Sequence, residues 1–170
     1  MTTFPEIQAS YPSLFPENFA FECGQGWTDI VGRYLATVAH MLDGTGSKVL
    51  VVREKMGALR IEDDYPEPHW GAYSRPKMLA EFRSRLTCEE CGAAGHMRKT
   101  NGLYRCRCDE HATAEERTQP ARPSWTIGRL TTEGFLWYDP AIDDVRIVGD
   151  LSTTGMPPEQ IERMKQEIRE

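Results

Sequence analysis

The sequence predicts a small mixed α+β fold that combines amphipathic helices, β-hairpins and an embedded zinc module of the treble-clef type. Apolar residues recur at helical spacing over residues 28–42, as in a helix with one buried face. Asn101-Gly102, flanked by β-type runs, is a dipeptide that strongly indicates a tight hairpin. Two pairs of metal-ligating residues enclose that hairpin. With 170 residues, the chain predicts one compact domain, 1–170, in which residues 74–117 form the zinc module.

The N-terminal part of the chain is rich in proline and aromatic residues. Three prolines within residues 5–16 exclude a long helix, so we expect an extended path held in place by the neighbouring aromatic side chains. Gly24 and Gly26 then permit a turn, and Trp27 is expected to anchor the core. The helix of residues 28–42 follows and ends where Asp43-Gly44 interrupts the pattern.

Two strands and a second helix are predicted between that helix and the metal site. Residues 48–53 are rich in valine and predict a buried strand, and residues 59–61 alternate as in a half-exposed strand. The short connection over residues 54–57 indicates that the two strands form a hairpin. A helix capped by Ser74 is then expected to lead the chain directly to Cys88.

The donors of the predicted metal site are Cys88, Cys91, Cys108 and His111. The first two form a C-x2-C knuckle, the last two form a C-x2-H pair, and sixteen residues separate the pairs. Three thiolates and one imidazole suit a closed tetrahedral site, so Zn2+ is the predicted structural cofactor. The composition of residues 109–117 predicts a short helix that carries the second pair at its N-terminus. Knuckle, hairpin and ligand-bearing helix follow one another in a treble clef.

Two further cysteines need an assignment. Cys106 offers another thiol close to the second pair and is an alternative to Cys108. We favour Cys108 because a C-x2-H pair at the start of a helix places both donors on one side. Cys23 lies outside the cluster and is expected to be a small buried apolar residue. A disulfide framework is not expected from an odd count of five cysteines.

Residues 70–108 form a basic segment in an acidic chain. They carry 8 basic and 3 acidic side chains, whereas the whole chain has a net charge of −6. A segment of this kind can bind nucleic acid through phosphate contacts, here within residues 75–107. An equally good alternative is that its charges pair with the acidic segments on either side. The candidate binding residues are Arg83, Arg85, Arg98, Lys99, Arg105 and Arg107.

The C-terminal part, residues 124–170, predicts three short strands followed by a helix. The strands are expected at residues 125–130, 135–138 and 145–148. The charged helix of residues 157–170 is expected to cover a sheet edge or to bind a partner.

The chain shows no signal for a membrane. Its longest aliphatic run is Val49-Leu50-Val51-Val52, which is far too short to span a bilayer. The first residues also lack the basic region and the apolar region of a signal peptide. We therefore expect a soluble protein of the bacterial host cytoplasm, where thiols remain reduced.

Three stretches of the sequence form a recognisable combination. They are Cys23-Gly24-x-Gly26-Trp27, the run from Val52 to Arg60, and Cys88-x2-Cys91-Gly92 followed by Cys108-Asp109-Glu110-His111. Together they resemble a family of small proteins encoded by bacteriophages and prophages, over roughly residues 20–112. The family pattern has a glycine-tryptophan helix start, a V-K-E-K-x-G-x-L-R hairpin and one C-x2-C with one C-x2-H. The resemblance implies a bacterial or phage origin and a zinc site that uses Cys108, and it carries over no activity.

Two classes of function are expected from these features. The first is a non-enzymatic, zinc-stabilised binding protein that acts on a host or phage macromolecule, as an inhibitor or regulator of a protein or as a nucleic-acid-binding module. Four protein ligands leave the metal no open position for water. The alternative is a metal-dependent nuclease of the treble-clef His-Asn-His type, with His96 as general base and Asn101 close by. Against it, no second histidine follows at helical spacing to hold a catalytic metal, and no other enzyme motif is present.

Overall fold

The structure, a computed structural model, describes residues 2–65, 74–119, 127–131 and 134–167. The chain divides into two compact units, Met1–Ala121 and Arg122–Glu170, where the sequence predicted a single domain. The physical reason is that each unit buries an apolar core of its own. The boundary falls close to the start of the predicted C-terminal part, residues 124–170.

The mixed α+β class is confirmed in the described parts of the chain. The elements of the first unit are α1 Phe4–Ser10, α2 Thr28–Leu42, β1 Val49–Lys55, β2 Ala58–Asp63, α3 Ser74–Ser84, β3 His96–Thr100, β4 Leu103–Arg107 and α4 Ala114–Arg117. Those of the second unit are β5 Gly128–Thr131, β6 Gly134–Asp139, β7 Asp144–Val148 and α5 Pro158–Glu167.

Helix α2 forms the centre of the first unit. Its apolar residues Val31, Leu35 and Val38 are fully buried, as the helical spacing predicts. The helix ends at Leu42, directly before the predicted stop at Asp43. The core it covers includes the inward face of the β1–β2 hairpin.

The expected extended path of the first twenty residues is wrong, because α1 forms there. Thr3 caps this helix, and the Glu6 side chain returns to the Thr3 backbone in a complete capping box. Pro5 lies in the first turn, where the missing N–H has no helical partner to lose. The prolines do keep the helix short, and Phe4 stacks on Phe21 with ring centroids 4.3 Å apart.

Both predicted hairpins of the first unit are confirmed. The β1–β2 and β3–β4 strands pair in antiparallel fashion. Their two turn residues have positive φ angles, 55° and 78° for Met56 and Gly57, and 51° and 81° for Asn101 and Gly102. Such angles match the type I′ turn, whose twist suits a two-residue hairpin.

The second unit is a three-stranded antiparallel sheet with strand order β5-β6-β7, followed by α5. Phe135 and Trp137 of β6 contribute to its core together with Ile161 of α5. The predicted strands at 135–138 and 145–148 are confirmed. The first predicted strand is observed at Gly128–Thr131, and its residues 125 and 126 lie outside the described part of the chain.

Candidate metal centre

The four predicted donors converge at one point of the structure. Donor atoms of Cys88, Cys91, Cys108 and His111 all lie within 4.8 Å of one another. The Sγ atoms of Cys91 and Cys108 are 3.8 Å apart, and Nδ1 of His111 is 3.8 Å from Sγ of Cys88 and 3.2 Å from Sγ of Cys108. Around a tetrahedral zinc ion, sulfur–sulfur and sulfur–nitrogen pairs are separated by roughly 3.8 and 3.5 Å. The donor set therefore fits one tetrahedral metal ion.

The first ligand pair lies on a tight knuckle closed by backbone hydrogen bonds. The N–H of Gly92 donates to the carbonyl oxygen of Cys88 over 2.9 Å, and the N–H of Cys88 donates to that of Ala93 over 2.7 Å. Gly92 has a φ angle of 77°, a conformation that glycine adopts without steric cost. This local geometry turns the Cys91 thiol back toward Cys88.

The second ligand pair lies on a turn, whereas the sequence placed it at the start of a helix. The N–H of Ala112 donates to the carbonyl oxygen of Cys108 over 2.9 Å and closes that turn. Helix α4 begins only at Ala114, because a capping box between Thr113 and Glu116 fixes its first turn after the ligands. The helix is four residues long and carries no ligand.

The structure distinguishes Cys108 from Cys106. Cys106 points into the hydrophobic core, where burial raises the pKa of its thiol to about 12. The backbone N–H of His111 hydrogen-bonds to the sulfur of Cys108 and helps to lower the pKa of that thiol to about 6. Cys108, and not Cys106, lies in the cluster of donor atoms.

Cys23 lies apart from the donor cluster, as the sequence predicts. Its side chain packs against the main core, and burial raises the pKa of its thiol to about 12. All five cysteines of the chain are free, so no thiol is lost to a disulfide.

The segment Gly24–Trp27 holds the first knuckle against the body of the unit, a role that the sequence analysis did not find. The N–H of Gly26 donates to the carbonyl oxygen of Glu89 over 2.7 Å, and the N–H of Gly24 donates to the Glu89 side chain over 3.0 Å. The indole N–H of Trp27 donates to the carbonyl oxygen of Thr87 over 2.8 Å. A Cβ atom on Gly24 or Gly26 would lie 2.6 Å from an atom of Glu89. The sequence signal for this close approach is the G-x-G-W pattern.

The six candidate basic residues do not form one solvent-facing patch. Arg98 is only 5% exposed and pairs with a carboxylate, and Arg85 and Arg107 each lie within 3 Å of a glutamate side chain. The predicted pairing with the flanking acidic segments is seen for Arg98 with Asp109 and, at 4.0 Å, for Arg107 with Glu116. The glutamates next to Arg85 and Arg107, Glu81 and Glu90, belong to the basic segment itself.

The other three candidates lie in separate environments. Lys99 is exposed and lies over the ring of Tyr104, 5.3 Å from its centroid. Arg105 is exposed and faces Arg98 across the hairpin register. Arg83 is half-buried in α3. Since cross-strand partners share a face, Arg105 and Lys99 lie on opposite faces of the hairpin.

The residues of the nuclease alternative are far apart. His96 is the first residue of β3, and Asn101 occupies the turn that follows the last residue of that strand. With a rise of about 3.3 Å per residue, the two positions are roughly 16 Å apart along the strand. Neither residue belongs to the donor cluster.

Comparisons with known proteins identify no relative of this chain. No family model, curated protein or solved structure matches the chain. Among the described residues, no helix combines the length and the apolar character needed to cross a bilayer. The donor cluster is thus the feature from which a function has to be inferred.

Proposed function

We propose that this chain is a binding protein whose first unit is closed by one structural Zn2+ ion. The observation that carries the proposal is the convergence of three thiolates and one imidazole at the spacing of a zinc tetrahedron. All four positions would be filled by protein atoms, so the ion would have no place for a water molecule or a substrate. Such a site stabilises a fold and does not activate water, which favours a binding role over hydrolysis.

The zinc module is proposed as a knuckle, a hairpin and a second ligand-bearing turn, close to a treble clef but with a shorter final helix. When bound, the ion joins α3, which ends near the first knuckle, to the β3–β4 hairpin between the two ligand pairs. This module is small and has little apolar core of its own, so the bound ion would supply much of its stability.

A protein is the proposed class of partner, in line with the resemblance to phage-encoded proteins. The chain has a net charge of −6, and three of its six candidate phosphate-binding residues are engaged in internal ion pairs. An acidic protein of this kind is suited to occupy a basic surface on a host or phage protein. The same acidity disfavours nucleic acid, whose phosphates it would repel. The proposed place of action is the bacterial host cytoplasm, where the free thiols would remain available to zinc.

The test of the binding role compares three measurements on the zinc-loaded protein. The first is fluorescence anisotropy with mixed-sequence DNA and RNA at low salt, in which no binding at micromolar protein is expected. The second is capture of proteins from a bacterial lysate, with Cys91→Ala as the metal-free control, in which a discrete partner is expected for the wild type only. The third is hydrolysis of DNA with added Mg2+ or Mn2+, in which none is expected. Tight, salt-sensitive nucleic-acid binding or metal-dependent cleavage would overturn the proposal.

A further inference from the structure

Two arginines of the basic segment surround the second ligand pair. Arg98 projects from β3 and is only 5% exposed. Its Nε donates to the carbonyl oxygen of Arg107 over 3.3 Å, and one terminal nitrogen donates to that of Glu116 over 2.9 Å. The other terminal nitrogen contacts the Asp109 carboxylate. One guanidinium group thereby contacts the residue before Cys108, the residue after it, and Glu116 of helix α4, which follows the turn that contains His111.

Arg107 connects the two ligand pairs. One terminal nitrogen donates to the carbonyl oxygen of His111 over 3.1 Å, and the other donates to the Glu90 side chain over 2.9 Å. Glu90 lies between Cys88 and Cys91 in the first knuckle. The side chain of Arg107 therefore extends from the backbone of the histidine ligand to the knuckle that carries the other pair.

The location of these contacts indicates what they are for. The second pair lies on a turn with no helix or strand to fix its backbone, and its neighbouring carbonyl groups need donors. A buried guanidinium is costly unless its donors are satisfied, and here the partners of Arg98 are the last residue of β4, Asp109 in the turn, and Glu116 of α4, which together enclose the second ligand pair. The fork of arginine can serve three acceptors in a fixed geometry, which a lysine ammonium cannot.

We propose that Arg98 and Arg107 are positioning residues of the metal centre: they set the backbone of the Cys108–His111 turn so that its two donors meet the first knuckle. This inference rests on the proposed zinc site. It also gives the buried arginines of the basic segment a role that does not involve nucleic acid. The effect is geometric, because both arginines already face carboxylates and add little net positive charge near the ion.

The test uses Arg98→Lys, Arg107→Gln and the control Arg105→Gln in the full chain. Arg105 lies on the same hairpin face as Arg98, and its replacement removes one positive charge from an exposed position. Zinc affinity is measured by competition with a chromophoric chelator, and the d–d spectrum of the cobalt-substituted protein reports the ligand geometry. Loss of an outer-shell partner typically weakens metal affinity about 10–100-fold. We expect a loss of that size, with an altered cobalt spectrum, for Arg98→Lys and Arg107→Gln, and no change for Arg105→Gln.

The outcomes separate the inference from the proposed function. If the wild type binds zinc and both variants match the control, the positioning role is wrong while the zinc site stands. If Arg98→Lys binds zinc as tightly as the wild type, charge alone suffices at this position, and the positioning role is wrong. If the wild type binds no zinc, the proposed function itself fails. Circular dichroism identifies a variant that does not fold, and the other variant then decides the question.

Discussion

Replacing Gly26 with alanine tests whether the Gly24–Trp27 segment and the metal site are packed as one unit. A Cβ atom at this position would lie 2.6 Å from the carbonyl oxygen of Glu89 and 2.5 Å from the backbone nitrogen of Gly92. Both atoms belong to the backbone of the first knuckle, so neither can rotate away as a flexible side chain would. The hydrogen bond from the Gly26 N–H to Glu89, 2.7 Å long, must lengthen or break before a methyl group fits.

The expected cost follows from these contacts. Overpacking in a rigid environment costs about 1–3 kcal/mol, and the loss of one buried hydrogen bond adds about 1 kcal/mol. Gly26→Ala is therefore expected to lower the free energy of unfolding by about 2–4 kcal/mol, which shifts a urea midpoint by roughly 1–2 M. The affinity for zinc should fall as well, because the knuckle has to move.

Gly32→Ala is the matched control, measured by urea denaturation of the zinc-loaded proteins with circular dichroism. Gly32 lies inside α2, and the nearest atom to an added Cβ is Cδ1 of Ile7 at 3.9 Å, an ordinary contact. This variant is expected to be more stable than the wild type by about 0.5–1 kcal/mol, since glycine is costly inside a helix. An unchanged midpoint and zinc affinity for Gly26→Ala would refute the close packing of the segment on the knuckle.

The ligand assignment predicts that Cys106→Ala keeps the metal and Cys108→Ala loses it, and metal analysis of the purified variants that showed the reverse would contradict it. Near pH 8, Cys23 is expected to react slowly with iodoacetamide, because burial raises its pKa to about 12 and little thiolate is present below that pH; rapid labelling seen by mass spectrometry would be inconsistent with its burial. Chelation is expected to remove hydrogen-exchange protection first from residues 74–117, since the knuckle joins a helix to a hairpin that has little core of its own without the ion. Equal protection with and without chelator would make the metal site incidental to folding.

Features with a strong local signal were predictable from the sequence. The Asn101-Gly102 turn is one, because positive φ angles at two successive residues are easiest for this dipeptide. The C-x2-C knuckle is another, since its spacing alone brings two thiols to one side. Helix α2 shows the same principle over a longer stretch, because its apolar spacing decides which face is buried.

Features that depend on distant partners were not predictable. The burial of Arg98 arises from carbonyl groups at residues 107 and 116, which no pattern around residue 98 reveals. The approach of Gly26 to Glu89 joins residues 63 positions apart. Helix α1 differs from the predicted extended path for a different reason: proline breaks a helix in its interior, but Pro5 lies in the first turn, where proline is tolerated. Helix α4 starts later than expected because the capping box between Thr113 and Glu116 fixes its first turn.

The most direct test of the central claim is zinc K-edge X-ray absorption of the purified, metal-loaded protein. A closed site formed by Cys88, Cys91, Cys108 and His111 predicts three sulfur neighbours at about 2.3 Å and one nitrogen neighbour at about 2.0 Å. Four sulfur neighbours would place Cys106 in the site and contradict the ligand set. An added oxygen neighbour from water would show an open position and contradict the structural role of the ion.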